Sequence, residues 1–368
     1  MKYCSEIHSK RIRVLSLLAT IAVVIIHSNS LENIRNNAFA WWIGNIVAVL
    51  QYWAVPFFFI VSGFFFDRSY VMRNISTFQF LKRKVWSLGV PYLFWGAVFG
   101  GIVLTPILAF VNMKAGRPMF ENTFWDAPSF ILSVDRLIGG FYGAPPNGAL
   151  WYVRMLLVIF CFAPLIKWIR SQLNGVGLLC IGVLIISFSS GINMNVGNEV
   201  ESFGFIGIPV RMKLASIGYF IIGCLISAYS LEKKSIGKII SFSCVSAWLV
   251  IMFSALSFKY AGVKTPCFME MILKYAPLFV VVSLWSIPWE KTNFGTRLIP
   301  IRFWIYCMHH PVSACVSAGV HVVLGHSLFA EGCSMVLVAP LCLVVVAMTG
   351  IIIQKRCHIV FSILNGGR

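Results

Sequence analysis

Runs of about twenty apolar residues recur along the whole 368-residue chain, and this repetition limits the possible fold more than any single residue does. A hydrocarbon layer about 30 Å thick is crossed by roughly 20 residues of helix, which satisfies its own backbone hydrogen bonds. By that measure, spans fall near residues 12–29, 41–66, 86–110, 149–168, 175–191, 214–230, 239–258, 269–288, 301–324 and 334–354. Charged residues make up only 11% of the chain, against ~25% in soluble domains. The expectation is an all-α, polytopic membrane protein with about ten transmembrane helices, forming a single integral domain over residues 1–368. The first run ends in His-Ser-Asn-Ser with no small-x-small site, so it reads as a retained span rather than a cleaved leader.

The net charge of +18 is a topology signal. About twenty of the thirty Lys and Arg residues fall in alternate inter-span segments, which places both termini in the cytoplasm by the positive-inside rule. The same cations attract anionic lipid heads, so nucleic acid is not needed to explain them. Most of the 11 cysteines lie inside apolar runs, where a thiol acts as a small hydrophobe. Cys267 and Cys333 fall near exterior loops, and a bridge between them stays open. No Cys/His spacing suits zinc, and no bound metal is expected.

Histidine supplies the candidate chemistry. His27 stands at the end of the apolar run IRVLSLLATIAVVII, and an ionisable group inside a membrane helix is costly and a functional-site candidate by default. His309 and His310, in IYCMHHPV, repeat the pattern, and Pro311 beside them frees backbone groups. At 3.6 residues per turn, Ser16 and Arg13 share the face of His27, with Arg13 roughly 21 Å away. Such a face suits an extended molecule with an anionic head; the plainer reading has Arg13 snorkelling to lipid phosphate and His27 bonding a neighbouring helix.

Other features carry two readings each. Lys82, Arg83 and Lys84, just before the third span, could grip donor phosphates or simply obey the charge rule. Arg154, near Trp151, either faces a cavity or snorkels outward. Ser62-Gly63 within VPFFFIVSGFFF reads as helix packing. Glu270 and Lys274 are spaced to pair along one helix. The segment 111–148, with Glu121, Asp126, Asp135 and many aromatics, suits a saccharide or an interfacial aromatic belt.

Taken in order, these segments resemble acyltransferase family 3, integral-membrane acyltransferases of which many O-acetylate surface polysaccharides. The matching segments are Ala22 to His27, PFFFIVSGF, the basic stretch before PYLFW, LWYVRMLL, SIGYFIIGCLIS at 216–227, and IYCMH. The resemblance implies catalytic roles for His27 and His309, with His310 an extra neighbour. It also implies acetyl transfer from cytoplasmic acetyl-CoA, as co-substrate, to a hydroxyl of a glycan or lipid-linked sugar, in a bacterial inner membrane. Donor binding then falls to Arg13, Ser16, Lys82, Arg83 and Lys84, and acceptor or cavity contacts to Arg154, Trp151, Asp126 and His310. No resident cofactor is implied.

The chain departs from the family pattern in one place. A cation usually stands 11 residues before the first histidine and an aspartate three earlier; here those positions are Ser16 and Arg13, so Arg13 takes over the cation one turn nearer the cytoplasm. The rival reading is a secondary transporter or flippase for a saccharide or lipid-linked intermediate, in which intramembrane His, Arg and Glu relay protons or hold cargo. Such proteins often carry inverted repeats, and the flanks of the two histidine segments are dissimilar.

Overall fold

The computed structural model describes residues 2–31, 34, 36–114, 147–196, 201–205, 208–212, 214–233, 236–263, 266–325 and 327–367. Each apolar run forms helix: α1 Lys2–His27, α2 Ala38–Gln51, α3 Ala54–Phe66, α7 Trp151–Cys161, α8 Ala163–Gln172, α9 Gly175–Val196, α10 Leu214–Ala228, α11 Lys238–Tyr260, α12 Cys267–Trp285, α13 Arg302–Leu324 and α14 Leu328–Arg356. Between α3 and α7 runs α4 Thr77–Lys84, α5 Val90–Leu93 and α6 Thr105–Lys114, joined by π-helical turns at Val85–Gly89 and Phe94–Leu104. A short α15, His358–Leu364, follows α14. The only strands among the described residues are an antiparallel pair, β1 Glu201–Phe205 and β2 Ile208–Met212.

Among the described residues, five helical segments are long and apolar enough to cross a membrane, and a sixth if α7 and α8, bent by 65° at one break, count together. This is a multi-pass membrane protein, with fewer long apolar helices among the described residues than the ten runs suggest. The bend begins before Pro164, at the start of α8, where a proline removes a helix donor. Helix α1 is not among them: it carries Lys10, Arg11 and Arg13, which leave only a short uncharged stretch before His27.

Two glycines set the tightest contact. Helices α3 and α10 lie backbone to backbone: a Cβ on Gly63 would meet the Phe220 carbonyl, and one on Gly223 would meet the Ile60 carbonyl. Without strong apolar drive between helices in lipid, such close approach supplies the van der Waals contact that joins them. The packing role read for Gly63 from the sequence is what it performs.

Two buried carboxylates are paired with arginines. Arg68 pairs with buried Glu232, and Arg170 Nε donates to Asp67, which is fully buried, at 3.2 Å. Lys274 donates to Ser189 on α9 at 3.1 Å rather than to Glu270, so the pairing expected along α12 is not made. The reason is reach: the interhelical partner is buried, whereas the intrahelical pair would sit at a half-exposed face. Cys333, one half of the bridge left open by the sequence, is a free thiol. Beyond α15, buried Asn365 accepts from Trp304 N at 3.0 Å and donates to the Pro300 carbonyl at 3.0 Å, fastening the segment after α15 to the start of α13.

Candidate active site

Helices α1 and α13 lie side by side and bring three imidazoles together. The His27 ring centroid is 5.2 Å from that of His309 and 4.8 Å from that of His310, and His309 and His310 are 6.5 Å apart. His309 is fully buried, whereas His27, the last residue of α1, is exposed. His309 Nδ1 lies 2.7 Å from the Tyr306 carbonyl. A carbonyl can only accept, so Nδ1 holds the proton and Nε2 presents a lone pair. That Nε2 is buried and has no partner. A buried acceptor left unsatisfied is costly, and a ready proton acceptor beside two further imidazoles accounts for its being kept.

Pro311 explains how this turn is held. It has no N–H, so the carbonyl four residues earlier, that of Cys307, loses its helical donor. Asn147 Nδ2 takes the donor's place at 2.7 Å. The same insertion sets Gly148 against His310, where a Cβ would stand 3.4 Å from Nε2, and Tyr306 donates its hydroxyl to the Ala149 carbonyl. Asn147 is therefore a positioning residue. Asn147→Leu is expected to cost about 1–3 kcal/mol of stability and to lower kcat more than donor KM. Thermal unfolding and steady-state kinetics check this; a melting curve like that of the natural chain would mean that Cys307 finds another donor.

Toward the other end of α1 lies a cavity of about 270 Å³. Arg13, Lys84 and Arg302 line it together with the hydroxyls of Ser16, Thr20 and Ser62, and no carboxylate is among the described lining residues. Ser16 and Thr20 back-bond to the carbonyls of Ile12 and Ser16 at 2.7 and 2.9 Å, which satisfies them inside the helix. Phe58, Tyr152 and Tyr306 close the cavity on the histidine side: Tyr306 sits 5.9 Å from the His309 ring and 6.0 Å from Phe58. Ser62 and Tyr152 share a hydrogen bond of 2.8 Å across that closure.

The sequence candidates separate here. His27, His309 and His310 meet; Arg13, Ser16 and Lys84 line the cavity. Lys82 and Arg83 do not: they line a different groove. Consecutive residues on a helix point about 100° apart, so a basic triplet cannot turn one way. Half-buried Arg154 acts electrostatically on Tyr92, and Trp151 packs on Phe59 at 6.1 Å; neither lines the cavity. Asp126 lies outside the described residues. Thr20, Ser62, Tyr152, Arg302 and Asn147 were not site candidates. Arg302 carried a signal, because it stands seven residues before His309 and shares its face. Asn147 carried none beyond the gap that Pro311 leaves.

Fold and site define a multi-pass helical membrane protein with a cationic cavity beneath a histidine cluster. Among the described residues, no group of His, Cys, Asp or Glu has the arrangement to hold a metal ion. A family model described as an acyltransferase domain, that of acyltransferase family 3, matches residues 10–353, and the chain belongs to that family. No curated protein and no solved structure matches the chain. The chain is a membrane acyltransferase.

Proposed function

We propose that the chain is an O-acetyltransferase, moving an acetyl group from cytoplasmic acetyl-CoA to a hydroxyl of a cell-surface or lipid-linked saccharide. The observation that carries this reading is that α1 and α13 each place an arginine at the cavity and a histidine beyond its closed end: Arg13 and His27 on one, Arg302 and His309 on the other. Three cations at one cavity, Arg13, Lys84 and Arg302, suit the phosphates of the donor. The narrow cavity takes the pantetheine arm and leaves the nucleotide outside at the cationic mouth. With both termini cytoplasmic, that mouth opens inward and the exposed His27 faces outward.

The chemistry follows from the lone pair. A hydroxyl is a weak nucleophile at neutral pH. An imidazole Nε2 removes the acceptor's proton as its oxygen attacks the thioester carbon. The tetrahedral adduct then collapses, the C–S bond breaks, and the proton passes to the leaving thiolate, giving ester and free CoA. Tyr306 stands between the cavity and His309, and its ring must yield for the thioester to reach the imidazoles.

The test uses membranes holding the full chain, labelled acetyl-CoA and isolated glycan. Label should appear covalently on the glycan. Arg13→Ala and Arg302→Ala should each raise donor KM roughly tenfold, the loss of one charge-assisted contact, with kcat little changed. Unaltered donor dependence in both variants would reject the cavity as the donor site. Glycan crossing the membrane with no label attached would instead support a transporter.

A further inference from the structure

We propose that the groove between α4 and α15 binds the phosphate headgroup of an anionic membrane lipid. The groove, about 590 Å³, is lined by Gln79, Lys82, Arg83, Trp86, Ser87 and Ser362, with the Gly366-Gly367 turn as its floor. Lys82 and Arg83 are exposed, and among the described residues they form no hydrogen bond or ion pair and share the groove with no carboxylate. Two cations with two hydroxyls and an amide within one concavity match a phosphate diester. They supply donors for its oxygens and charge for its anion.

The groove is built rather than incidental. Gly366 has φ +72°, and a Cβ there would meet the Ser87 carbonyl, so only glycine lets the turn seat against the π-helical segment Val85–Gly89. The turn closes on itself: Gly366 N donates to the Ile363 carbonyl at 3.2 Å and Gly367 N to the Ser362 carbonyl at 2.7 Å. Asn365, bonded on both sides to the start of α13, holds it there. The turn that lines the groove with the two cations is therefore held by the hydrogen bonds of Asn365.

Its surroundings favour a lipid over a soluble anion. Phe78 and Trp86 are 77% and 62% exposed, and Ile359 and Val360 on α15 are exposed as well. Large apolar and indole side chains around basic residues mark the boundary between headgroups and acyl chains. The donor cavity, with Lys84 and Leu88, opens on the other face of the same segment. The nucleotide end of acetyl-CoA offers the same phosphate chemistry, so the experiment must separate the two sources.

Purified full chain is incubated with phosphatidylglycerol and phosphatidylcholine, and retained lipid is counted by native mass spectrometry. The natural chain should hold phosphatidylglycerol preferentially. The double variant Lys82→Gln with Arg83→Gln should lose that preference on the order of 30-fold, the effect of two basic side chains at an anionic surface. Both positions are exposed, so the variant should melt at the same temperature as the natural chain in phosphatidylcholine alone. Arg73→Gln, which removes an exposed cation outside the groove, should leave the preference intact. No preference in the natural chain, or an equal loss with Arg73→Gln, would overturn the proposal. Displacement of phosphatidylglycerol by adenosine 3′,5′-bisphosphate would overturn it in favour of the donor's nucleotide. The readout is lipid retention, so the result does not depend on acyl transfer.

Discussion

Alanine at His309 should lower acetyl transfer by about 10²–10⁴-fold with the protein still present in the membrane at its normal level, and alanine at His27 should do the same. His309 is fully buried, its Nδ1 is committed to the Tyr306 carbonyl, and its Nε2 points at no protein group. His27, 5.2 Å away between ring centroids, is the exposed member of the pair. If the two act together on one proton or one acyl group, the double variant should be little worse than either single one. His310→Ala should cost less, because its ring packs on Gly148 and His27 and acts on the pair from beside it. Label incorporation into glycan, normalised to the amount of protein in the membrane, measures all four. An unchanged rate in either single variant would remove that histidine from the mechanism.

Gly63→Leu and Gly223→Leu should prevent the folded protein from accumulating. Each glycine meets a backbone carbonyl of the facing helix, and a backbone cannot turn aside as a side chain can. Overpacking a side chain into a yielding core costs about 1–3 kcal/mol; here α3 and α10 must separate along their length, so the cost should exceed that range. Gly63→Ala tests the graded case. It should lower the melting temperature and also displace Ser62, whose bond to Tyr152 lies across the closed end of the cavity. Normal accumulation of the leucine variants would show that the two helices separate without penalty.

Much of this was legible along the chain. His27, His309 and His310 stood out because an imidazole in an apolar helix has to have a reason, and Arg13 and Ser16 followed from helical geometry on the same segment. Pro311 announced a freed carbonyl. What answers that carbonyl, Asn147, is 160 residues away in sequence and sits on another element, and no periodicity links the two. Ser62 read as packing because its neighbour Gly63 packs; the hydroxyl points the other way, into the cavity. Lys82, Arg83 and Lys84 looked alike on the page, and the helix divides them between two concavities.

The sequence alone determined that this chain enters a membrane, that its helices carry buried imidazoles, and that a cation shares the first histidine's face. Those properties are local: hydropathy, charge and 3.6-residue periodicity act within one segment. Only the tertiary structure decided which segments meet. The approach of α1 to α13 makes three separate histidines one cluster, and Tyr306 closes the cavity below it. In lipid, where apolar surface does not distinguish one helix from another, that choice rests on close contacts such as Gly63 on Phe220 and on single hydrogen bonds such as Asn147 to Cys307.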